Sequence, residues 1–234
     1  MFSVFLDSII AETGFSRSSI SVLYAVGSGI SAVMVSLVSR MADRVGPRKV
    51  LMWVGVALGG ACFAMASANT LIVIMVALAS LRALGQGSLP VNGTLLVAQW
   101  FTRYRARAVS IMGLGFALST SILPPLCTFL IQEIGWRETY ALLGVMVWLL
   151  IIPGAFFLVK DRPEAVGLLP DGAPVPPVTA GQPGPPKSAP GPDRRKVFTS
   201  ARFWMLALPL ATTPLVGTAL IFHQAGIFAE QGLS

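Results

Sequence analysis

Long stretches with almost no charge govern what this chain can fold into. Six of them stand out: Ile20–Ser39, Val50–Ala66, Leu71–Ala98, Ala108–Gln132, Tyr140–Val159 and Phe203–Ala229. A helix rises about 1.5 Å per residue, so each can cross a hydrocarbon core of about 30 Å. Nothing in lipid can satisfy an open backbone, so helices are the expected solution. There is no succession of alternating ten-residue segments of the kind a membrane barrel needs. The expected fold is therefore all-α, a polytopic transmembrane helix bundle. Charged residues make up 12% of the chain, against about 25% for a soluble domain, which excludes a soluble enzyme. The net charge of +7 is spread between apolar runs and not over a folded basic face, so no nucleic-acid partner is expected. Cys62 and Cys127 both lie inside apolar runs and are expected to be small buried hydrophobes, not a disulfide.

Basic residues set the topology. Fourteen of the seventeen fall on one side, in loops 40–49, 101–107 and 160–202, which are expected to be cytoplasmic. Arg17 and Arg137 fall on the other side, and Arg82 lies within a span. Met1–Ile10 is apolar but short, and is expected to be the tail of a helix whose beginning is missing. The segment Pro170–Pro192 holds nine of the seventeen prolines, the composition of a linker. These boundaries predict a bundle over 1–160, a cytoplasmic linker over 161–202 and a further helix over 203–234. The basic run Arg194–Lys196 is expected to be a positive-inside anchor beside membrane lipids.

Two features inside this frame carry chemistry. The first is the short loop Asp43-Arg44-Val45-Gly46-Pro47-Arg48-Lys49. Gly46-Pro47 makes a tight turn between antiparallel neighbours. Topology accounts for the cations but not for an acid followed by Arg-x-Gly-x-Arg. The second is Arg82, an isolated charge at mid-span. Its insertion costs about 2.5–3.5 kcal/mol, so it is expected to face the bundle interior or a water-filled cavity. Gln86 follows one turn on along the same face, and Pro90 and Asn92 are expected to bend the helix toward that cavity. Asn92-Gly93-Thr94 matches a glycosylation triplet, but it lies within the membrane.

Loop 43–49 and the string Arg82-Ala-Leu-Gly85-Gln86-Gly87 resemble the major facilitator superfamily. Three further strings resemble its monocarboxylate and oxalate/formate transporter branch: Gly14-Phe15-Ser16-Arg17-Ser18, Gly135-Trp136-Arg137 and Lys160-Asp161-Arg162-Pro163-Glu164 through Asp171-Gly172. The resemblance implies twelve helices in two halves with the substrate between them. The chain then offers the end of helix one, helices two to six, the linker and helix seven: the N-terminal half plus the first helix of the second. It is expected to need C-terminal helices that it lacks.

The resemblance also implies roles. Asp43, Arg44, Gly46 and Arg48 would form a gating latch on a neighbouring helix end. Arg82, Gln86 and Asn92 would line the translocation route, together with His223 and Gln224 of the last span; His223 is the single histidine. Gly113, Gly115 and Ser119 would form a close-packing face, with Pro124 and Pro125 bending or interrupting the same helix. Gly27, Ser28, Gly29 and Ser31 would pack likewise. The expected function is alternating-access transport of a small carboxylate, with a proton or a second anion as coupled species and no cofactor. The rival reading is a truncated, non-transporting membrane or interaction subunit. One histidine and two membrane cysteines cannot build a metal or nucleophile site, and no phosphate-cradling loop is present, so neither an enzyme nor an ATP-driven pump is expected.

Overall fold

A computed structural model describes residues 2–172, 199–210, 212, 216 and 217. The chain divides into two units, Met1–Pro176 and Pro177–Ser234. Within the described residues the first unit is helical throughout. It runs α1 (Phe2–Thr13), α2 (Arg17–Val45), α3 (Pro47–Ala66), α4 (Leu71–Leu81), a π-helical segment Arg82–Ser88, α5 (Leu89–Trp100), α6 (Arg105–Ile134) and α7 (Trp136–Pro153). A π turn, Gly154–Leu158, ends the last helix, and two 3₁₀ turns, Pro163–Val166 and Pro170–Gly172, follow it. The second unit shows a helix α8 over Ala201–Leu210. His223 and Gln224, and most of the expected helix over 203–234 and of the linker, lie outside the described residues.

Among the described residues, five helices are long and apolar enough to cross a membrane: Ser18–Val45, Pro47–Ala66, Leu71–Trp100, Arg105–Ile134 and Trp136–Leu158. They cover the first five apolar runs read from the sequence, and the fold is the expected all-α membrane bundle. Their ends follow local rules. Ser16 caps α2, its Oγ accepting from the Ser19 amide at 3.1 Å. Thr70 caps α4 through Val73 N at 3.4 Å. Gly46 stops α2 with φ +100°, a conformation open to glycine. Pro47 then opens α3, where its missing N–H costs nothing.

Among the described residues the core has two clusters. One gathers Phe5, Ile9, Ile20, Met65, Trp136 and Tyr140 at the end that carries Arg137, away from the basic loops. The other joins Ala42, Val50, Val54, Leu58 and Leu84 toward the basic end. α1 is thus a packed element, with Phe5 4.3 Å from the Tyr140 ring. α3 sits centrally and meets α7 along a glycine seam. A methyl added at Gly55 would fall 2.6 Å from Ile151 Cγ2, and one at Gly144 3.2 Å from Gly59 O. α6 is the outermost helix, with Ile111, Leu114, Phe116 and Phe129 exposed. It is continuous through Pro124 and Pro125, so of the two expected effects, a bend or an interruption, the interruption does not occur. Cys62 and Cys127 are buried free thiols, as expected.

Candidate functional site

The candidate route is built where α4 gives way to the π-helical segment. Arg82 is its first residue and is partly buried. Its Nη1 donates to the Tyr24 hydroxyl of α2, and its Cζ lies 4.4 Å from the Tyr24 ring centroid. Its Nε is buried and has no partner among the described residues. The acids with described side chains, Glu12, Asp43, Glu133, Glu138, Asp161, Glu164 and Asp171, lie at helix ends or in loops. None forms an ion pair with Arg82; Glu12 forms one, with Arg137.

The wide turn explains the neighbours. A π turn sets carbonyls and side chains out of α register, and Ser88 Oγ bonds the carbonyl five residues back, Ala83 O, at 2.8 Å. Gly87 lets α2 approach closely, since a methyl there would meet Val35 Cγ2 at 2.1 Å. Gln86 is exposed on this segment. Asn92 is instead fully buried. Its Nδ2 donates to Ser88 O at 2.8 Å, while Oδ1 finds no partner among the described residues. The structure therefore brings Arg82 and Gln86 together on one segment and puts Asn92 one turn further on, inside the packing.

The basic end carries a second arrangement. Arg48 N donates to Asp161 Oδ1 at 2.8 Å. Its guanidinium donates from Nε to Ala155 O at 3.3 Å and from Nη2 to Phe156 O at 2.5 Å. Arg48 thus satisfies carbonyls where α7 ends, while Asp161 caps the start of α3. Asp43 and Arg44 are exposed. Further on, Asp171 takes the backbone amides of Arg103 at 2.8 Å and of Thr102 and Tyr104 at 3.2 Å, at the start of α6. These amide bonds, that of Arg103 first, hold its carboxyl below the ordinary carboxylate value. Trp100 Nε1 donates to Lys160 O at 3.0 Å. Residues 160–171 therefore strap the starts of α3 and α6 to the end of α7. Every one of these bonds joins segments that the charge pattern assigns to a single side.

At the other end, Arg137 donates to Glu12 Oε1 at 2.8 Å, Ala66 O at 2.9 Å and Asn69 Oδ1 at 3.0 Å. Trp136 Nε1 also donates to Glu12. The Arg137 bond, then that of Trp136, lowers the Glu12 pKa. Gly113 and Gly115 meet nothing within 4 Å, and Ser119 is exposed, so this face packs on nothing among the described residues. Gly27 does pack, since a methyl added there would lie 3.4 Å from Ala79 Cα, but one at Gly29 would meet nothing within 4 Å.

Sequence reasoning did not single out Tyr24 or the Gly55–Gly59 seam, and it named Asp161 and Asp171 only within a resemblance string, without a role. The seam had a readable signal, two glycines four apart on one apolar helix. Tyr24 had only its polar tip in an apolar run.

Taken together, these features define a multi-pass membrane helix bundle with a cation held at mid-span and bonded straps at its ends. Residues 1–234 match the family model described as Major Facilitator Superfamily, and the chain belongs to that superfamily. It is also 29% identical over 165 residues to a protein of Cupriavidus necator described as "Probable sulfoacetate transporter SauU". That match covers 69% of this chain and 37% of the relative, so the chain spans little more than a third of that curated relative's length.

Proposed function

We propose that this chain belongs to a secondary carrier of small organic anions and not to an enzyme. In this reading 1–160 is the N-terminal bundle, 161–202 the linker and 203–234 the start of the second half. The observation that carries the proposal is Arg82. A guanidinium at mid-span is costly, and here a phenol holds it, with no carboxylate paired to it among the described residues. A charge kept without a counter-ion can take an anionic substrate, and the planar fork of arginine fits carboxylates and sulfonates. The relative named for sulfoacetate, a small organic dianion, supports the substrate class; monocarboxylates are the other candidates, through the branch resemblance.

Transport would proceed by alternating access, driven by a proton or by exchange for a second anion, across the plasma membrane. Asp43, Arg44 and Arg48 would gate the cytoplasmic face, and Gln86 would line the route beside Arg82. His223 and Gln224 would complete it from the last span. The bare face of α6 at Gly113, Gly115 and Ser119 suits a seat for helices of the second half.

The test is uptake of labelled sulfoacetate and acetate by the full-length protein in proteoliposomes. Arg82→Ala should reduce uptake at least about 100-fold, the loss of a buried charge-assisted contact of about 3 kcal/mol. Membrane insertion and thermal midpoint should hold. Uptake equal to the parent's would overturn the role of Arg82.

A further inference from the structure

We infer that Tyr24 is a positioning residue: through its hydroxyl and ring it fixes the Arg82 guanidinium in the orientation that receives the substrate anion. The inference rests on the carrier reading above and adds a residue and a mechanism to it.

The two contacts come from one side chain on a different helix. The Tyr24 hydroxyl accepts from Arg82 Nη1, and the ring lies under the guanidinium at 4.4 Å. A hydrogen bond and a cation–π contact together restrict a long side chain that otherwise has much rotamer freedom to lose. Orientation and charge are separated here. A carboxylate in the same place would orient the arginine but neutralise it. A phenol brings no formal negative charge to the contact, so it orients the guanidinium without neutralising it.

The donors show the same division. Of the five N–H groups a guanidinium carries, one is used by Tyr24, and the buried Nε has no acceptor among the described residues. An oxyanion reaching the remaining edge would meet donors already aimed. Pre-payment of this ordering raises affinity for the bound anion and leaves the rate of the conformational step alone.

The position of Tyr24 adds a second consequence. It sits on α2, whereas Arg82 begins the π-helical segment after α4. The pair therefore ties two helices of one unit at the depth of the charge, and the arginine does not depend on α4 alone for its placement.

The experiment is initial-rate uptake of labelled sulfoacetate by the full-length carrier in proteoliposomes, with KM and the maximal rate measured separately. Tyr24→Phe keeps the ring and removes the acceptor. It should raise KM about tenfold, the equivalent of one hydrogen bond to a charged group, with the maximal rate within about twofold of the parent. Tyr24→Leu removes both contacts and should raise KM at least as much; it carries the test if the Phe variant does not accumulate. In an Arg82→Lys background, where a point charge needs no planar orientation, Tyr24→Phe should change KM no further. A Phe variant with parental KM, or one whose maximal rate falls while KM holds, would overturn the positioning role. If Arg82→Ala itself transports like the parent, the carrier reading falls first. If Arg82→Ala is inactive and Tyr24→Phe is parental in KM, only the inference about Tyr24 falls.

Discussion

Replacing Gly59 with alanine would probe how the two central helices are held together. A methyl at Gly59 would sit 2.1 Å from Trp148 Nε1 and 2.4 Å from its Cδ1. The indole occupies that space for a reason: Nε1 donates to Val56 O at 3.1 Å, and the ring lies 5.0 Å from Phe63. To admit the methyl, α3 and α7 must part, or the indole must swing toward lipid and abandon both contacts. Overpacking costs about 1–3 kcal/mol and a lost hydrogen bond about 0.5–1.5 kcal/mol. Against this stands a helix-propensity gain of up to about 1 kcal/mol for Gly→Ala. The net expectation is a loss of about 1–3 kcal/mol. Gly60, the next residue, has nothing within 4 Å, so Gly60→Ala should collect the propensity gain alone. Thermal unfolding of the purified full-length protein in detergent, followed by tryptophan emission, compares the two. Trp148→Phe in the Gly59→Ala background should recover part of the loss, giving a coupling energy for the pair. If Gly59→Ala and Gly60→Ala unfold at the same midpoint, the seam does not hold these helices as described.

The strap at the basic end gives two further expectations. Gly46 has φ +100° and ψ 145°, and a Cβ there would lie 2.7 Å from Asp161 Oδ1. Gly46→Ala should therefore destabilise by about 1–3 kcal/mol, read as a lowered thermal midpoint; a parental midpoint would refute the turn's dependence on glycine. Asp171 tests pH linkage. Its native pKa lies below the ordinary 3.8, so its contribution is present in full above that value and is lost as pH falls through the lower native one. The midpoint difference between parent and Asp171→Ala should stay constant from about pH 8 to about pH 5 and vanish only in stronger acid; a difference already gone at about pH 5 would contradict the amide cradle.

Spans were legible because membrane insertion is decided by local composition. Runs such as Leu71–Ala98 and Ala108–Gln132 need no partner to announce themselves. Arg82 was legible for the same reason, since its cost is set by depth alone. What joins distant segments was not. Asp161 caps a helix start 113 positions away, and Asp171 reaches amides 67 to 69 positions back. Nothing local distinguishes those acids from other loop acids. Tyr24 looks like ordinary core until Arg82 is beside it. The π-helical turn at Arg82–Ser88 was not legible, because a π turn leaves no sequence period of its own. Pro124 and Pro125 show the converse: two strong local breakers do not interrupt α6, which stays continuous across both.

Three arginines of this chain show how partner chemistry divides one side chain among different tasks. Arg137 meets a carboxylate at 2.8 Å, together with a carbonyl and an amide oxygen. Its charge is balanced, its fork is occupied, and it ties the tail of α1 to α3 and α7. Arg48 meets two carbonyls at the end of α7. Those groups carry the partial negative charge of a helix C-terminus, so they hold the cation without a full counter-charge, and the bond can open at the modest cost of exchanging carbonyl for water. Arg82 meets a phenol, which supplies neither a full nor a helix-end negative charge. A residue in the first situation stabilises, and one in the second can act as a reversible fastening. Only the third leaves a cation at mid-depth with no counter-ion among the described residues, and under the proposed carrier role substitution at Arg82 should be felt in anion uptake before it is felt in folding.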